Sequence, residues 1–181
     1  SYIEERHRKM IALTFDDGPD PTTTPQALAI LKKYNAKATF FMVGKNVSAN
    51  PDIAKQVRKE GHQIGNHTWD HPQLPKLSLD NAKKEILDTQ EAIQKATGVQ
   101  TKITRPPYGA INNAIQYSVD QSFIMWDVDS LDWKTHNTTA ILNEVKKEVK
   151  PGSIILMHDI HQTTIDALPT VLDYLKSQGY T

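Results

Sequence analysis

Short apolar runs alternate with longer amphipathic stretches along this chain. Residues 10–15, Met-Ile-Ala-Leu-Thr-Phe, read as a buried strand. Residues 24–34 read as a helix, with Thr24 as N-cap and Pro25 at the first helical position. A second apolar strand covers residues 38–43 and ends at Gly44. Asn50-Pro51 opens a helix that runs to Glu60 and stops at Gly61, and residues 63–66 form a brief third strand. Residues 78–97 make the longest helical stretch, with Leu79, Ala82, Ile86, Ile93 and Ala96 spaced along one apolar face and Gly98 at its end. Then follow a weak strand at 102–104, a short helix at 112–120, a strand at 122–126, a helix at 139–149 and a strand at 153–157. A last helix covers 164–176, where Pro169 marks a kink. Neither a repeat nor a linker interrupts this order. The β-α alternation predicts one domain over residues 1–181, with a mainly parallel sheet covered by helices. Alternation leaves open whether that sheet is flat or closed into a barrel.

Polar clusters fall just after the strand ends: Asp16-Asp17, residues 67–71, residues 105–108, residues 127–133 and His158-Asp159. In parallel α/β folds the carboxyl ends of the strands share one rim, and sites are built there. Five clusters distant in sequence are therefore expected to meet in space.

Composition narrows the chemistry. Lys+Arg and Asp+Glu each total 21, so the net charge is zero, which disfavours a partner held by charge such as nucleic acid or an anionic membrane. With no cysteine, disulfides and thiolate metal sites are excluded, and any metal must use His, Asp or Glu. No apolar run approaches the ~20 residues needed to span a bilayer. No signal-peptide pattern is visible at Ser1, and the chain reads as a processed or cut form.

His67 and His71 stand four apart, a common spacing for two metal ligands if the segment makes a helical turn. Pro72 disfavours helix at His71, so a loop is equally consistent, and two surface histidines are the plainer reading. Asp16 and Asp17 adjoin Gly18-Pro19 at a strand end. A capped turn needs only one Asp. Neighbouring side chains in extended chain diverge, so one carboxylate can ligate a metal while the other handles a proton. Two His and one carboxylate leave positions open, as in hydrolytic zinc or non-haem iron(II) sites. Arg105 is suited to orient a carboxylate, Asp132-Trp133 offers a buried carboxylate with an aromatic wall, and His158 is placed to act as a general acid. Each of these has a structural reading when taken alone. His7, His62, His136 and His161 are read as peripheral, His161 being nearest the site; Asp70, Asp127 and Asp159 are read as supporting residues, and Asp129 is left open. A phosphoryl-transfer site would want a Gly-rich phosphate loop, and a glycosidase two carboxyls across the scissile bond; neither pattern fits.

Taken together, these segments resemble the polysaccharide deacetylase family, carbohydrate esterase family 4. Residues 14–19 (Thr-Phe-Asp-Asp-Gly-Pro), 67–71 (His-Thr-Trp-Asp-His), 105–108 (Arg-Pro-Pro-Tyr), 129–133 (Asp-Ser-Leu-Asp-Trp) and 156–158 (Leu-Met-His) match its five motifs in order, without a departure. The resemblance implies a distorted (β/α) barrel of about seven strands. It implies one divalent ion, zinc or else cobalt, on Asp17, His67 and His71. It implies that Asp16 is the general base held by Arg105, and that the backbone N–H of Tyr108 supports the oxyanion. His158, aided by Asp132, would protonate the departing amine, and Trp133 and Leu156 would line the acetyl pocket. The implied reaction is N-deacetylation of peptidoglycan or chitin-like oligomers by an exported, monomeric enzyme without nucleic-acid or membrane contacts. O-acetyl xylan esterase activity and a non-catalytic carbohydrate-binding role are the alternatives.

Overall fold

The computed structural model describes residues 9–181, so His7 lies outside the described residues. Seven strands, β1 (Ala12–Asp16), β2 (Thr39–Met42), β3 (Gln63–Asn66), β4 (Ile103–Thr104), β5 (Ser122–Phe123), β6 (Val128–Asp129) and β7 (Ile154–His158), form one sheet in the order β5-β4-β3-β2-β1-β7-β6. Every pairing is parallel. The sheet curls into a distorted (β/α) barrel whose β5 and β6 are the two ends of the hydrogen-bonded order. Among the described residues eight α-helices accompany it: α1 (Thr23–Lys33), α2 (Gly44–Ala49), α3 (Pro51–Lys59), α4 (Leu79–Thr97), α5 (Asn113–Ser118), α6 (Asp132–Thr135), α7 (Thr138–Glu148) and α8 (Gln162–Ser177).

The two-residue period of the strands divides labour between the faces. Leu13, Phe15, Phe40, Met42, Ile155 and Met157 join the main core with Leu28, Leu31, Val57, Val145 and Val171 from the helices. Phe15 stacks on Phe40 at 5.1 Å between ring centroids. The intervening residues face the other way. Thr14 and Asp16 both receive hydrogen bonds from the wholly buried Arg105, whose guanidinium lies 4.3 Å from the Phe41 ring centroid. Gly65 makes this packing possible, because a Cβ there would come within 2.4 Å of the Phe41 ring. The barrel interior is thus filled by an arginine and an aromatic ring rather than by aliphatic layers.

Several expectations change in detail. Helix α1 begins at Thr23 with Thr22 as its cap residue, not at Thr24. Asp20 Oδ1 accepts the N–H groups of Thr22 and Thr23, which leaves the Thr24 hydroxyl to serve Asp20 N and Asp159 instead. Helix α2 lies where the sequence shows only Val47 as a buried apolar side chain, too little for a periodic signal. Leu79 is exposed, and Thr89 and Thr97 complete the buried face of α4. The strand expected over 122–126 stops at Phe123, because the carbonyls of Ile124 and Met125 turn inward to accept Arg105. The chain pairs again at β6, a strand that the polar run 127–133 conceals. Pro169 sits inside α8 without interrupting it.

Candidate functional site

Asp16 ends β1 and is 3% exposed. Its Oδ1 accepts a 2.8 Å bond from Arg105 Nη1. Arg105 also donates to Thr14 Oγ1 at 2.8 Å, to Met125 O at 3.0 Å and to Ile124 O at 3.3 Å. The cation is satisfied on all sides, so the carboxylate it holds has one fixed orientation.

Asp17 follows in the left-handed region, at φ 82°. Its neighbours pin it through the backbone: Asp17 N donates to Phe41 O, and Asn46 of α2 donates its side-chain amide to Asp17 O. Gly18 permits close approach of the turn to Asp159, whose carboxylate a Cβ would meet at 2.4 Å. Asp159 itself is a buried bracket: Thr24 donates to its Oδ2, and burial pushes its pKa up to about 7.

The segment carrying the two histidines is a loop, with Thr68 at φ 70° and His71 at φ 67°. Such angles are costly for non-glycine residues and persist only under outside restraint. Glu85 of α4 supplies it, one carboxylate oxygen accepting the N–H groups of Trp69 and Asp70 at 2.8 and 3.2 Å. Asn66 adds a second tie, accepting Thr68 N at 2.9 Å and donating to Ile86 O of α4 at 2.8 Å. Gly44 N and Lys45 N of α2 donate to the carbonyls of Thr68 and Trp69. Glu85 carries no motif signal in the sequence, since it stands fourteen residues past His71 on what reads as an ordinary exposed helix face.

These restraints bring the three groups together. His67 Nδ1 donates to Arg105 O at 2.7 Å, which turns Nε2 inward. Asp17 Oδ1 lies 3.2 Å from His67 Nε2 and 3.5 Å from His71 Nε2. A tetrahedral ion with ligands at ~2.0–2.1 Å has ligand-to-ligand edges of about 3.3 Å. Asp17 Oδ1 is buried and has no hydrogen-bond partner, as expected of an oxygen whose partner is an ion. These donor atoms form the one such cluster of three among the described residues. Burial alone would raise the Asp17 pKa, but His67, then His158 and His71, pull it down to about 2. Burial likewise opposes charge on His67, and Asp16 and Asp17 overcome it, so its pKa is raised. A cation held here would compete with a proton for His67 Nε2.

Across the cavity, His158 Nδ1 donates to Asp132 Oδ1 at 2.7 Å. Asp132 is wholly buried and also accepts from His158 N, Thr164 Oγ1 and Trp133 N. Burial would depress the His158 pKa, but Asp132, then Asp17 and Asp16, raise it to about 9. The ring therefore carries a proton at neutral pH, and its Nε2 lies 3.9 Å from Asp17 Oδ2. A cavity of about 430 Å³ opens here, walled by Tyr108, Trp126, Trp133 and Leu156, a size suited to a small ligand group. Tyr108 sits at φ 61° and its ring meets His71 edge-on at 4.8 Å between centroids. Asp16, Asp17, His67, His71, Tyr108, Trp133, Leu156 and His158 line this cavity, and Arg105 and Asp132 brace it, whereas Asp127 accepts Ile154 N at the start of β7 and His62 accepts Ala38 N, both away from the rim. Trp126, which the sequence offered only as a strand end, is an additional wall.

A sequence model described as polysaccharide deacetylase matches residues 3–122. The peptidoglycan-N-acetylglucosamine deacetylase PgdA of Listeria monocytogenes is 48% identical over 172 residues, 95% of this chain and 37% of that protein. The peptidoglycan-N-acetylmuramic acid deacetylase PdaC of Bacillus subtilis is 44% identical over 174 residues, 96% of this chain and again 37% of that protein. The chain thus spans well under half the length of these curated relatives. A solved structure of PdaC superposes with a TM-score of 0.94, covering 97% of this chain and 87% of that one. A pseudoenzyme of the CE4 family from Bacillus anthracis superposes with a TM-score of 0.90 at 34% identity, covering 97% of this chain and 63% of that one.

Proposed function

The chain belongs to the polysaccharide deacetylase family, and we propose that residues 1–181 are a catalytic domain that hydrolyses N-acetyl groups on the amino sugars of peptidoglycan, releasing acetate. The two curated relatives are named for N-acetylglucosamine and N-acetylmuramic acid respectively, so peptidoglycan is preferred to chitin as the polymer. Because a pseudoenzyme shares the fold, the argument for activity rests on side chains. The observation that carries it is the convergence of Asp17, His67 and His71 beside an Asp16 whose Oδ1 is held by Arg105 and whose Oδ2 lies 3.6 Å from His67 Nε2.

Asp17, His67 and His71 would hold one divalent ion, zinc by preference and cobalt as the alternative, because two imidazoles and one carboxylate suit either. Bound there, the ion supplies Lewis-acid polarisation of the acetamide carbonyl and makes water at the site more acidic. Asp16, fixed through one oxygen, takes the proton from the attacking water with the other. The Tyr108 N–H donates to the oxygen that gains charge as water adds. His158 enters the cycle as imidazolium and gives its Nε2 proton to the departing nitrogen, while Asp132 holds the ring and steadies its charge. Trp133 and Leu156 enclose the methyl group. A sugar chain lies across the open rim, where Tyr108, 64% exposed, offers an aromatic face. No described helix is long and apolar enough to cross a membrane, and we propose action at the cell wall, outside the cell, by a monomer.

The test is mass spectrometry of peptidoglycan, chitooligosaccharide and acetylxylan incubated with the purified protein. Loss of one acetyl group per amino sugar from peptidoglycan supports the reading. Acetate released from acetylxylan alone would replace it with an O-acetyl esterase. No acetate from any of the three would place the chain with the pseudoenzymes.

A further inference from the structure

Strand β2 lies between β1 and β3 in the sheet. Asp17 follows β1 and His67 follows β3, so these two proposed ligands leave strands separated by two spacings of ~4.7–4.9 Å each. Their side chains nevertheless meet, with Asp17 Oδ1 3.2 Å from His67 Nε2. The chain between them, residues 41–46, is the end of β2 and the first turn of α2, and it bonds to both sides. Phe41 O accepts Asp17 N at 3.2 Å, and Met42 O accepts His67 N at 2.9 Å. Val43 N donates to Gly18 O at 2.9 Å on the Asp17 side. Gly44 N and Lys45 N donate to Thr68 O at 2.8 Å and Trp69 O at 3.0 Å on the histidine side.

Backbone groups make all of these bonds, and one side chain adds to them. Asn46, half-buried in the first turn of α2, donates Nδ2 to Asp17 O at 2.7 Å. This bond is shorter than the backbone ones and acts on a ligand residue itself. Asp17 needs such a hold, since its backbone sits at φ 82°, a region costly for a residue other than glycine. On the histidine side the fit is steric. A Cβ on Gly44 would come within 2.5 Å of Thr89 Oγ1 of α4 and 2.6 Å of the Trp69 ring. The bare glycine thus lets α2 seat against the loop that carries His67 and His71.

We propose that Asn46 is a positioning residue for the metal site, acting through Asp17, and that residues 41–46 are the spacer that sets the distance between the aspartate and the two histidines. The inference rests on the metal site proposed above and not on the reaction carried out there. Asn46 donates to the Asp17 carbonyl rather than to its carboxylate, so it fixes the backbone from which the ligand projects. The carboxylate then meets an ion without first having to be ordered. A neutral hydrogen bond of this kind is worth about a 3–10-fold change in an equilibrium, and its removal should be read as that change in zinc affinity.

The experiment uses metal-stripped protein and two readouts: the zinc dissociation constant by competition with a chromogenic chelator, and amide hydrogen exchange by NMR without metal. N46A should bind zinc about 3–10-fold more weakly than the wild type. Its Asp17 and Val43 amides should exchange faster by a similar factor, with those of Gly44, Lys45 and the strands unchanged. G44A, which leaves Asn46 in place, should weaken zinc by at least about threefold, and there the faster amides should be Lys45 and His67. Zinc affinity in N46A within about twofold of the wild type overturns the positioning role. Faster exchange throughout the sheet in N46A marks a general loss of stability and overturns it as well. Unchanged zinc affinity in G44A overturns the spacer. A wild type that binds no zinc sinks the metal site proposed above; the exchange rates then decide the spacer alone, upheld by the local pattern and overturned by rates equal to the wild type's.

Discussion

Replacing Arg105 by Met keeps most of the side-chain volume and removes the charge on which the rim is built. Arg105 is wholly buried, and Asp16, its ion-pair partner at 2.8 Å, is 3% exposed. Removing one member of a buried pair strands the other, at a cost of about 3–5 kcal/mol. The carbonyls of Ile124 and Met125 lose a donor as well, so the upper half of that range is expected. In a domain of 181 residues, each kcal/mol lowers Tm by roughly 2–4 °C, which puts the fall at about 8–20 °C. The assay is urea denaturation with chelator present throughout, since a bound ion would stabilise the folded state by mass action. The double-mutant cycle with Asp16→Asn separates charge from shape. Each single variant strands one buried charge and the double variant strands none, so the double should cost at least about 2 kcal/mol less than the sum of the singles. A cost below about 1 kcal/mol for R105M, or additivity within about 0.5 kcal/mol, would refute the claim that this pair is an electrostatic keystone.

Three other outcomes follow from the same geometry. Asp16→Asn should abolish turnover with metal still bound, whereas His67→Ala should lose both; near-normal acetate release from D16N, or full metal occupancy in H67A by elemental analysis, contradicts the assigned roles. Glu85→Ala removes the acceptor for Trp69 N and Asp70 N, and with one bond partly buried the loop loses about 1–2 kcal/mol of restraint. Zinc affinity should then fall roughly 5–30-fold with the fold intact, E85Q should recover part of it, and an unchanged dissociation constant in E85A would remove Glu85 from the site's support. His62 accepts Ala38 N through Nδ1, and burial, reinforced by Lys37, lowers its pKa. The unfolded chain therefore takes the proton first as acid is added, so His62 withdraws stability as pH falls below ~6.5, with a slope of at most about 1.4 kcal/mol per pH unit. Urea midpoints should show that part of the slope missing in His62→Gln, and identical slopes would contradict the assignment.

The barrel's rim was legible because its residues follow strand ends. Asp16 closes β1, Asn66 precedes His67 at the end of β3, and His158 closes β7, so alternation and motif spacing together place them on one edge. Supports acting through the backbone left no such trace. Nothing in a Thr-Trp-Asp run announces that Thr68 and His71 take left-handed angles, or that Glu85 on another element holds them there. The inward turn of the Ile124 and Met125 carbonyls is likewise decided by Arg105, not by local preference, which is why an apolar run from Ser122 to Trp126 reads as one strand and forms only part of it. His161 follows the last strand, and its contact with the His136 ring depends on the short helix α6 that His136 caps, whose four residues give no periodic signal.

The most direct test of the central claim is anomalous diffraction at the zinc edge from crystals of the protein grown with one equivalent of zinc. The account predicts a single peak within ~2.0–2.3 Å of Asp17 Oδ1, His67 Nε2 and His71 Nε2, with Asp16 remaining on Arg105. A peak ligated by Asp16 in place of Asp17, or no peak between the two histidines, would contradict it.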